Sequence, residues 1–316
     1  MSTMNRRALR HAWAFGTLAL LSLAACRKDA PDPAVPAAEP VAAVQAMARA
    51  IADNDLVAYA RLSVPPDQFS RLEQAWAQGH SRWPLTELPL HDQLLPMLQA
   101  LSADDASGQL QRSFDRQLAG QAAAVRQAAQ SMGLFGVQYL RHQMIYTPSQ
   151  QAHYIQVVET LAAWAGGAPL SDRARARASI AALIQAARTA GITDDAGLQQ
   201  AGMVSSLGHL GPFIGTLKTV LASYGLDLDT SLRGVAGDVL SLQGDNALVG
   251  LQYPLAGKTI TLQIPLTRRE GHWYLTRTLA DTDALLRGAQ AAEAASAAVP
   301  DLPAGTGEAA DPPAKP

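Results

Sequence analysis

The spacing of apolar residues changes once along this chain, and that change constrains the fold more than any other feature. From about residue 41 to residue 225, apolar residues recur three or four positions apart, which is the spacing of an amphipathic helix. From about residue 232 they alternate with polar residues, as in residues 260–266, which is the spacing of a half-buried strand. The chain is therefore predicted to be α+β: a mostly helical body (about 41–225) packed on a C-terminal antiparallel meander of three to four strands (about 232–279).

Turn and cap signals divide both halves. Gly244-Asp245-Asn246 and Arg268-Arg269-Glu270-Gly271 predict the turns of the meander, and Trp273-Tyr274 is expected to place one ring inward and one outward. Thr147-Pro148-Ser149-Gln150 predicts a capped helix start. A sheet of three strands cannot cover its own apolar face, so helices are expected to pack on it.

Other helix boundaries are predicted from glycine and proline. A long helix is expected from about Ala106 to Met132 with Gly133 as its stop, and another from Pro212 to Tyr224. Residues 80–96 are expected to be irregular because they contain three prolines.

The N-terminal residues predict where in the cell the protein is located. Three arginines precede an apolar run from Ala12 to Ala25, which has the length of a signal-peptide core and is short for a membrane span. The sequence Leu23-Ala24-Ala25-Cys26 resembles the bacterial lipobox, and Cys26 is the only cysteine of the chain. The resemblance implies that the peptide is cut before Cys26 and that this residue carries the lipid, palmitate included. An ordinary signal peptide with a chance cysteine is the alternative.

The rest of the chain divides by composition. Residues 1–25 are predicted to be the lipoprotein signal peptide, and 26–40 the lipidated cysteine and a Pro/Ala-rich tether. Residues 41–288 are predicted to be a single α+β domain with its meander at 232–279, and 289–316 a disordered Ala/Pro tail. In lipoprotein-sorting terms, Arg27 after the cysteine implies the outer membrane, facing the periplasm of a Gram-negative-type bacterium, rather than the inner membrane.

Charge argues against one class of partner. Removal of residues 1–25 takes away three arginines and no acid, so the formal net charge falls from −2 to −5. A mildly acidic protein is a poor ligand for nucleic acid, and no nucleic-acid partner is expected.

Two stretches carry a second resemblance. MARAIADNDLVAYARLSVPP (47–66) looks like the opening helix of the SnoaL-like and nuclear-transport-factor-like cone folds, and ITLQIPLTRREGHWYL (260–275) looks like their closing hairpin. Well over a hundred residues of helix separate the two stretches, which the compact family does not have. The resemblance implies a cone-shaped fold, and the family includes many members that are not enzymes.

No sequence motif fixes a reaction. The chain has no HExxH, GxSxG or Walker loop, and no catalytic residue, metal ligand or cofactor is predicted. Trp76, Trp83 and Trp164 are pocket candidates, although aromatic residues at helical spacing more often belong to a core. His142 and His153 are the best remaining pair for a site.

Three functions remain open at this level. The first is a non-enzymatic lipoprotein of the cell envelope that is held to the membrane through acylated Cys26 and binds a protein partner or an apolar ligand. The second is an inhibitor or immunity lipoprotein against a secreted effector. The third is a periplasmic hydrolase, which requires two or more of His142, His153, Asp194 and His209 to meet in one pocket.

Overall fold

The computed structural model describes residues 37–88 and 91–297, all of which belong to one compact unit, Val35–Pro316. The predicted signal peptide, Cys26, most of the tether and residues 298–316 of the predicted tail lie outside the described residues. The described helices are α1 Pro40–Ala52, α2 Leu56–Ser63, α3 Pro66–Ala77, α4 His91–Ser102, α5 Ala106–Gln117, α6 Ala122–His142, α7 Pro148–Gly167, α8 Arg173–Ala190, α9 Asp195–Ala201, α10 Met203–Ser223, α11 Leu228–Arg233 and α12 Thr276–Ala297. A 3₁₀ turn at Leu85–Glu87 follows α3.

Four strands form an antiparallel sheet in the order β1-β2-β3-β4. They are β1 Ala236–Gln243, β2 Asn246–Leu255, β3 Lys258–Arg269 and β4 His272–Leu275. The predicted turns at 244–245 and 270–271 are present, and Gly244, Glu270 and Gly271 adopt positive φ there. The predicted α+β class is confirmed.

The larger core lies within the helical part. Trp76 and Leu72 of α3 pack with Leu98 of α4 and with Leu210 and Phe213 of α10, and all five are fully buried. Burial of each large apolar side chain stabilises the folded state by about 1.5–3 kcal/mol. This cluster is therefore the main source of stability. Among the described residues, no helix is both long and apolar enough to cross a bilayer.

Helix α1 covers one face of the sheet, which we call the inner face. Ala43 of α1 packs with Val249 and Leu251 of β2, Leu266 of β3 and Trp273 of β4. The prediction that helices cover the apolar face of the meander is confirmed.

Helix α7 closes one end of the same sheet. Its residues Val157, Leu161 and Trp164 pack against a small buried cluster that includes Leu255 of β2 and Ile260 of β3. The predicted start of α7 is confirmed, because Thr147 and Gln150 form a reciprocal capping box ahead of Pro148.

One buried cation joins three helices. Lys218 of α10 is 5% exposed, and its Nζ donates to the carbonyl oxygens of Ile51 and Ala52 at 2.7 and 2.8 Å and to the carboxylate of Asp229 in α11. The carbonyls end α1, where a positive charge is favourable. Lys218 therefore fixes the end of α1 against α10 and α11.

The C-terminal end differs from the prediction. Residues 276–279, expected to continue the last strand, begin α12, and residues 289–297, expected in the tail, also lie in that helix. Leu279, Thr282, Leu286 and Ala289 follow helical spacing and are buried, and α12 packs on α3, β3 and β4. The strand-like pattern at 272–279 therefore combined four residues of strand with the first turn of a helix.

The ring of this pair that points outward is Tyr274, and it is fully buried, as is Trp273 at 2%. The two rings do alternate, because Trp273 joins the core under α1 while Tyr274 pairs with Thr267 on the other side of the sheet. Helix α12 packs on β3 and β4 and covers that second side. Burial, together with Glu270 and Asp67, raises the pKa of Tyr274 to about 12.

Three helix boundaries were also placed differently. The helix expected over 106–132 is two helices, because the chain breaks at Gly120 with positive φ and α6 then continues through Gly133. Helix α4 occupies 91–102 with Pro96 inside it, and α10 begins at Met203 with Pro212 inside it. Burial of one face of each helix outweighs the local cost of the proline.

Candidate binding surface

Two of the predicted pocket tryptophans belong to the helical core. Trp76 is fully buried and its Nε1 donates to the carbonyl oxygen of Leu198 at 2.8 Å, while Trp83 is 2% exposed in the same cluster. Trp164 packs in the α7 cluster, and its Nε1 donates to the carbonyl oxygen of Tyr224 at 2.9 Å. All three rings therefore serve packing between helices in the structure.

The two predicted histidines have different surroundings and are not joined in one site. His142 is exposed at the end of α6, whereas His153 is half-buried on α7 with its Nε2 3.0 Å from the hydroxyl of Tyr253. Burial lowers the pKa of His153 and raises that of Tyr253. Both groups therefore favour their neutral forms, and the tautomer of His153 decides which of the two donates the hydrogen bond.

The hydrolase hypothesis requires two or more of four residues to meet in one pocket, and in the described part of the chain no hydrogen bond or ion pair is seen between any two of them. Asp194 accepts from the backbone N–H of Gly197 as the cap of α9, and His209 is exposed on α10. Among the described residues, no hydrogen bond joins any two of His142, His153, Asp194 and His209. That part of the chain also holds no group of three or more His, Cys, Asp or Glu arranged to hold a metal ion.

A cleft of about 510 Å³ lies on the face of the sheet opposite α1, which we call the outer face. Ser149, Ala152 and Gln156 of α7 form one wall. The floor and the other wall come from the first three strands: Gly237, Asp238, Leu240, Gly250, Leu251, Gln252, Thr261, Leu262 and Gln263. Asp238 is the one ionisable side chain in this lining. The surface offers amides, hydroxyls and backbone rather than an acid–base pair.

Small residues and an irregular strand shape this cleft. The register shifts between Val239 and Ser241, which leaves Leu240 as an extra residue of β1. The side chain of Leu240 lies over Gly250, where an added Cβ would stand 3.1 Å from its methyl carbons. A larger residue at position 250 would displace Leu240 and fill the cleft floor.

Helix α7 protects one edge of the sheet with a side chain. The Gln156 Oε1 accepts from the backbone N–H of Thr261 at 3.1 Å, and Gln156 Nε2 donates to the Thr261 carbonyl at 3.4 Å. This amide pairs with β3 as a neighbouring strand would, along the stretch that the short β4 does not reach. Edge strands need such protection because their free backbone groups can pair with another chain.

The opposite edge, at β1, has no such protection. Among the described residues, no strand lies beyond β1, and no hydrogen bond from another element reaches the backbone of 236–243. Val239 and Leu242 pair with buried residues of β2 but remain 42% and 59% exposed, because β1 is the outermost strand. The strand contains no lysine, arginine or proline, the residues that commonly block an edge.

The sequence predicted a strand of the meander before Gly244 but did not indicate an open edge, because which strand lies outermost depends on how the whole sheet pairs. The signal available in the sequence was its composition: AGDVLSLQ (236–243) has few of the bulky side chains with which a central strand packs.

No family model, no curated protein and no solved structure matches this chain. The resemblance of 47–66 and 260–275 to the SnoaL-like and nuclear-transport-factor-like folds therefore stays a prediction.

Proposed function

We propose that this protein is a membrane-anchored lipoprotein of the cell envelope that acts as a non-enzymatic binding module. Its partner is a protein, and the contact is an extended segment of that partner which pairs with β1 and adds a strand to the sheet. The observation that carries the proposal is the asymmetry of the sheet: Gln156 covers the β3 edge, whereas the β1 edge is open and lined by exposed apolar side chains.

The chemistry of β1 suits an extended polypeptide. Backbone pairing supplies affinity in such contacts, and alternate side chains supply specificity. Val239 and Leu242 would contact the partner on one side of the sheet and Leu240 on the other. The adjoining cleft, with Gln252, Thr261 and Gln263 on its floor, would take polar side chains that project over the outer face.

The anchor is the second part of the proposal. Support comes from the lone Cys26 after Leu23-Ala24-Ala25 and from the proline-rich residues that follow, which would hold the body away from the bilayer. One acyl chain binds a membrane marginally, so the proposal requires more than one chain on Cys26. Outer-membrane attachment facing the periplasm is the location we propose.

Metabolic labelling tests the anchor. Cells that express the full chain should incorporate a labelled fatty acid into the protein, and Cys26→Ala should abolish the label and the processing. Label that persists in Cys26→Ala would contradict the proposed attachment.

Added charge on the β1 edge tests the binding mode. The paired change Val239→Lys and Leu242→Lys should prevent strand addition and reduce partner recovery from envelope extract at least tenfold, because two lysines disfavour pairing at an edge. The matched control is Gln74→Lys with Gln185→Lys, which adds the same charge at exposed positions of α3 and α8. Equal recovery with both pairs would rule out the β1 edge as the binding site.

A further inference from the structure

A second apolar surface lies on α6 and on the turn that follows it. Met132, Phe135 and Tyr139 have the spacing of one helical stripe, and Met144 and Ile145 extend it beyond the helix end. Met132 and Phe135 are 73% and 74% exposed, and Met144 and Ile145 are 98% and 78% exposed. We call these five residues the α6 surface.

This stripe is distinct from the face of α6 that packs. Gly133 and Gly136 bring α6 close to α7: a Cβ at Gly133 would stand 2.5 Å from the Cβ of Ala162, and one at Gly136 would stand 3.1 Å from a methyl carbon of Val158. Val137 on the same side of α6 is buried. Since α7 is the element that packs extensively on α6, the large side chains of the α6 surface face solvent.

Helix α6 and the turn that follows it contain no acidic residue. Residues 116–158 contain no aspartate or glutamate, although the whole chain has 27 acids in 316 residues. Arg126 lies against the end of α7, where its Nε donates to the carbonyl oxygen of Gly166 at 3.2 Å, and Arg141 is exposed near the end of α6, between Tyr139 and the turn that holds Met144. A basic and apolar surface is thus present on a protein that is acidic overall.

We propose that the α6 surface contacts the surface of an anionic lipid bilayer, as a site separate from the β1 edge. Exposed aromatic and aliphatic side chains on a helix without acidic residues, with an exposed arginine next to the turn at its end, match the interfacial region of a membrane. The protruding turn at 144–145 would enter the headgroup layer, and Arg141 would meet lipid phosphates.

Vesicle binding tests this proposal. Residues 35–316 suit the experiment because they include all the described residues, which belong to one compact unit, and contain no cysteine, so the acyl anchor does not contribute. The protein should co-sediment with vesicles of phosphatidylglycerol and phosphatidylethanolamine, and much less with phosphatidylcholine alone. Phe135→Ser with Ile145→Ser should weaken binding roughly tenfold and leave the melting temperature unchanged, because both side chains are exposed.

The matched control separates this proposal from the function proposed for β1. Val239→Ser with Leu242→Ser also removes two exposed apolar side chains, and it should leave vesicle binding unchanged while it weakens partner capture. A single cysteine at position 145 with an environment-sensitive dye should show a blue-shifted emission on anionic vesicles, whereas a dye at position 185 should not.

Three outcomes would overturn the membrane contact. They are absence of binding to anionic vesicles, equal binding by the Phe135→Ser/Ile145→Ser variant, and a dimer in solution that this variant disrupts. The last outcome would assign the surface to a second copy. If the β1 variant loses partner capture but binds vesicles normally, the β1 edge and the α6 surface act independently, and each proposal is tested by its own variant.

Discussion

Two glycines of α10 show how one residue decides the packing of neighbouring helices. A Cβ at Gly211 would stand 2.4 Å from the backbone oxygen of Asn54, in the turn between α1 and α2, whereas a Cβ at Gly208 meets nothing within 4 Å. Asn54 itself has a positive φ of 62°, so its backbone has little freedom to retreat.

Gly211→Ala should therefore destabilise the protein by about 1–3 kcal/mol, because the new methyl group overlaps backbone rather than a flexible side chain. Gly208→Ala should be neutral or stabilising by about 0.5–1 kcal/mol, because alanine is the better helix former. Urea unfolding of both variants measures the difference. Equal stabilities would contradict the close approach of α10 to the α1–α2 turn.

His153 should make stability depend on pH. Because burial lowers its pKa in the folded state below the ordinary value of 6.5, the unfolded chain takes up a proton first as the pH falls. The stability that buried, neutral His153 contributes to the folded state is fully present above about pH 7 and decreases toward pH 5. The free energy of unfolding should vary less over this range in His153→Gln, and an NMR titration should place the midpoint of His153 below 6.5. A midpoint at or above that value would contradict its burial against Tyr253.

At the scale of elements, the sheet depends on a helix to complete one edge. Gln156→Leu should remove both bonds from α7 to the backbone of Thr261 and cost about 1 kcal/mol. Hydrogen exchange of the Thr261 amide should become fast in this variant. Gln138→Leu on the exposed side of α6 is the control and should leave that amide protected. Continued protection in Gln156→Leu would show that the glutamine does not hold this edge.

Elements with strong local signals could be predicted from the sequence. The capping box at Thr147, the turns near Gly244 and Gly271, and the alternation of β3 each depend on neighbours along the chain. The sequence misled where long-range packing decides the outcome. Gly133 was predicted to stop a helix because its contact with Ala162 comes from another helix, and the burial of the outward ring, Tyr274, was not predicted because it depends on α12.

The candidate site was harder to predict for the same reason. Tryptophans and histidines attracted attention as residue types, but the structure places Trp76 and Trp83 in the core and leaves His142 exposed at a helix end. The β1 edge consists of ordinary residues whose importance comes from the order of the strands. Only the complete sheet reveals that Val239 and Leu242 have a strand on one side alone among the described residues, because β2 pairs with β1 and no strand lies beyond β1.

The whole molecule presents two unlike surfaces on one compact body. The β1 edge is apolar and nearly uncharged, and the α6 surface is apolar and belongs to a helix that has no acidic residue and an arginine near its end. An anchored protein that touches the bilayer through α6 would hold its body in a limited range of orientations. The β1 edge would then be presented to partners in the same compartment, which connects the two proposals without making either depend on the other.

Photo-cross-linking from the β1 edge in intact cells tests the central claim most directly. A photo-reactive amino acid at Leu242 of the full chain should give a discrete product with a partner protein, and the same group at exposed Gln185 should not. Addition of Val239→Lys should remove the product, because the charge prevents a partner strand from pairing with β1. No product from position 242, or the same product from positions 242 and 185, would contradict the claim that the open edge of β1 binds the partner.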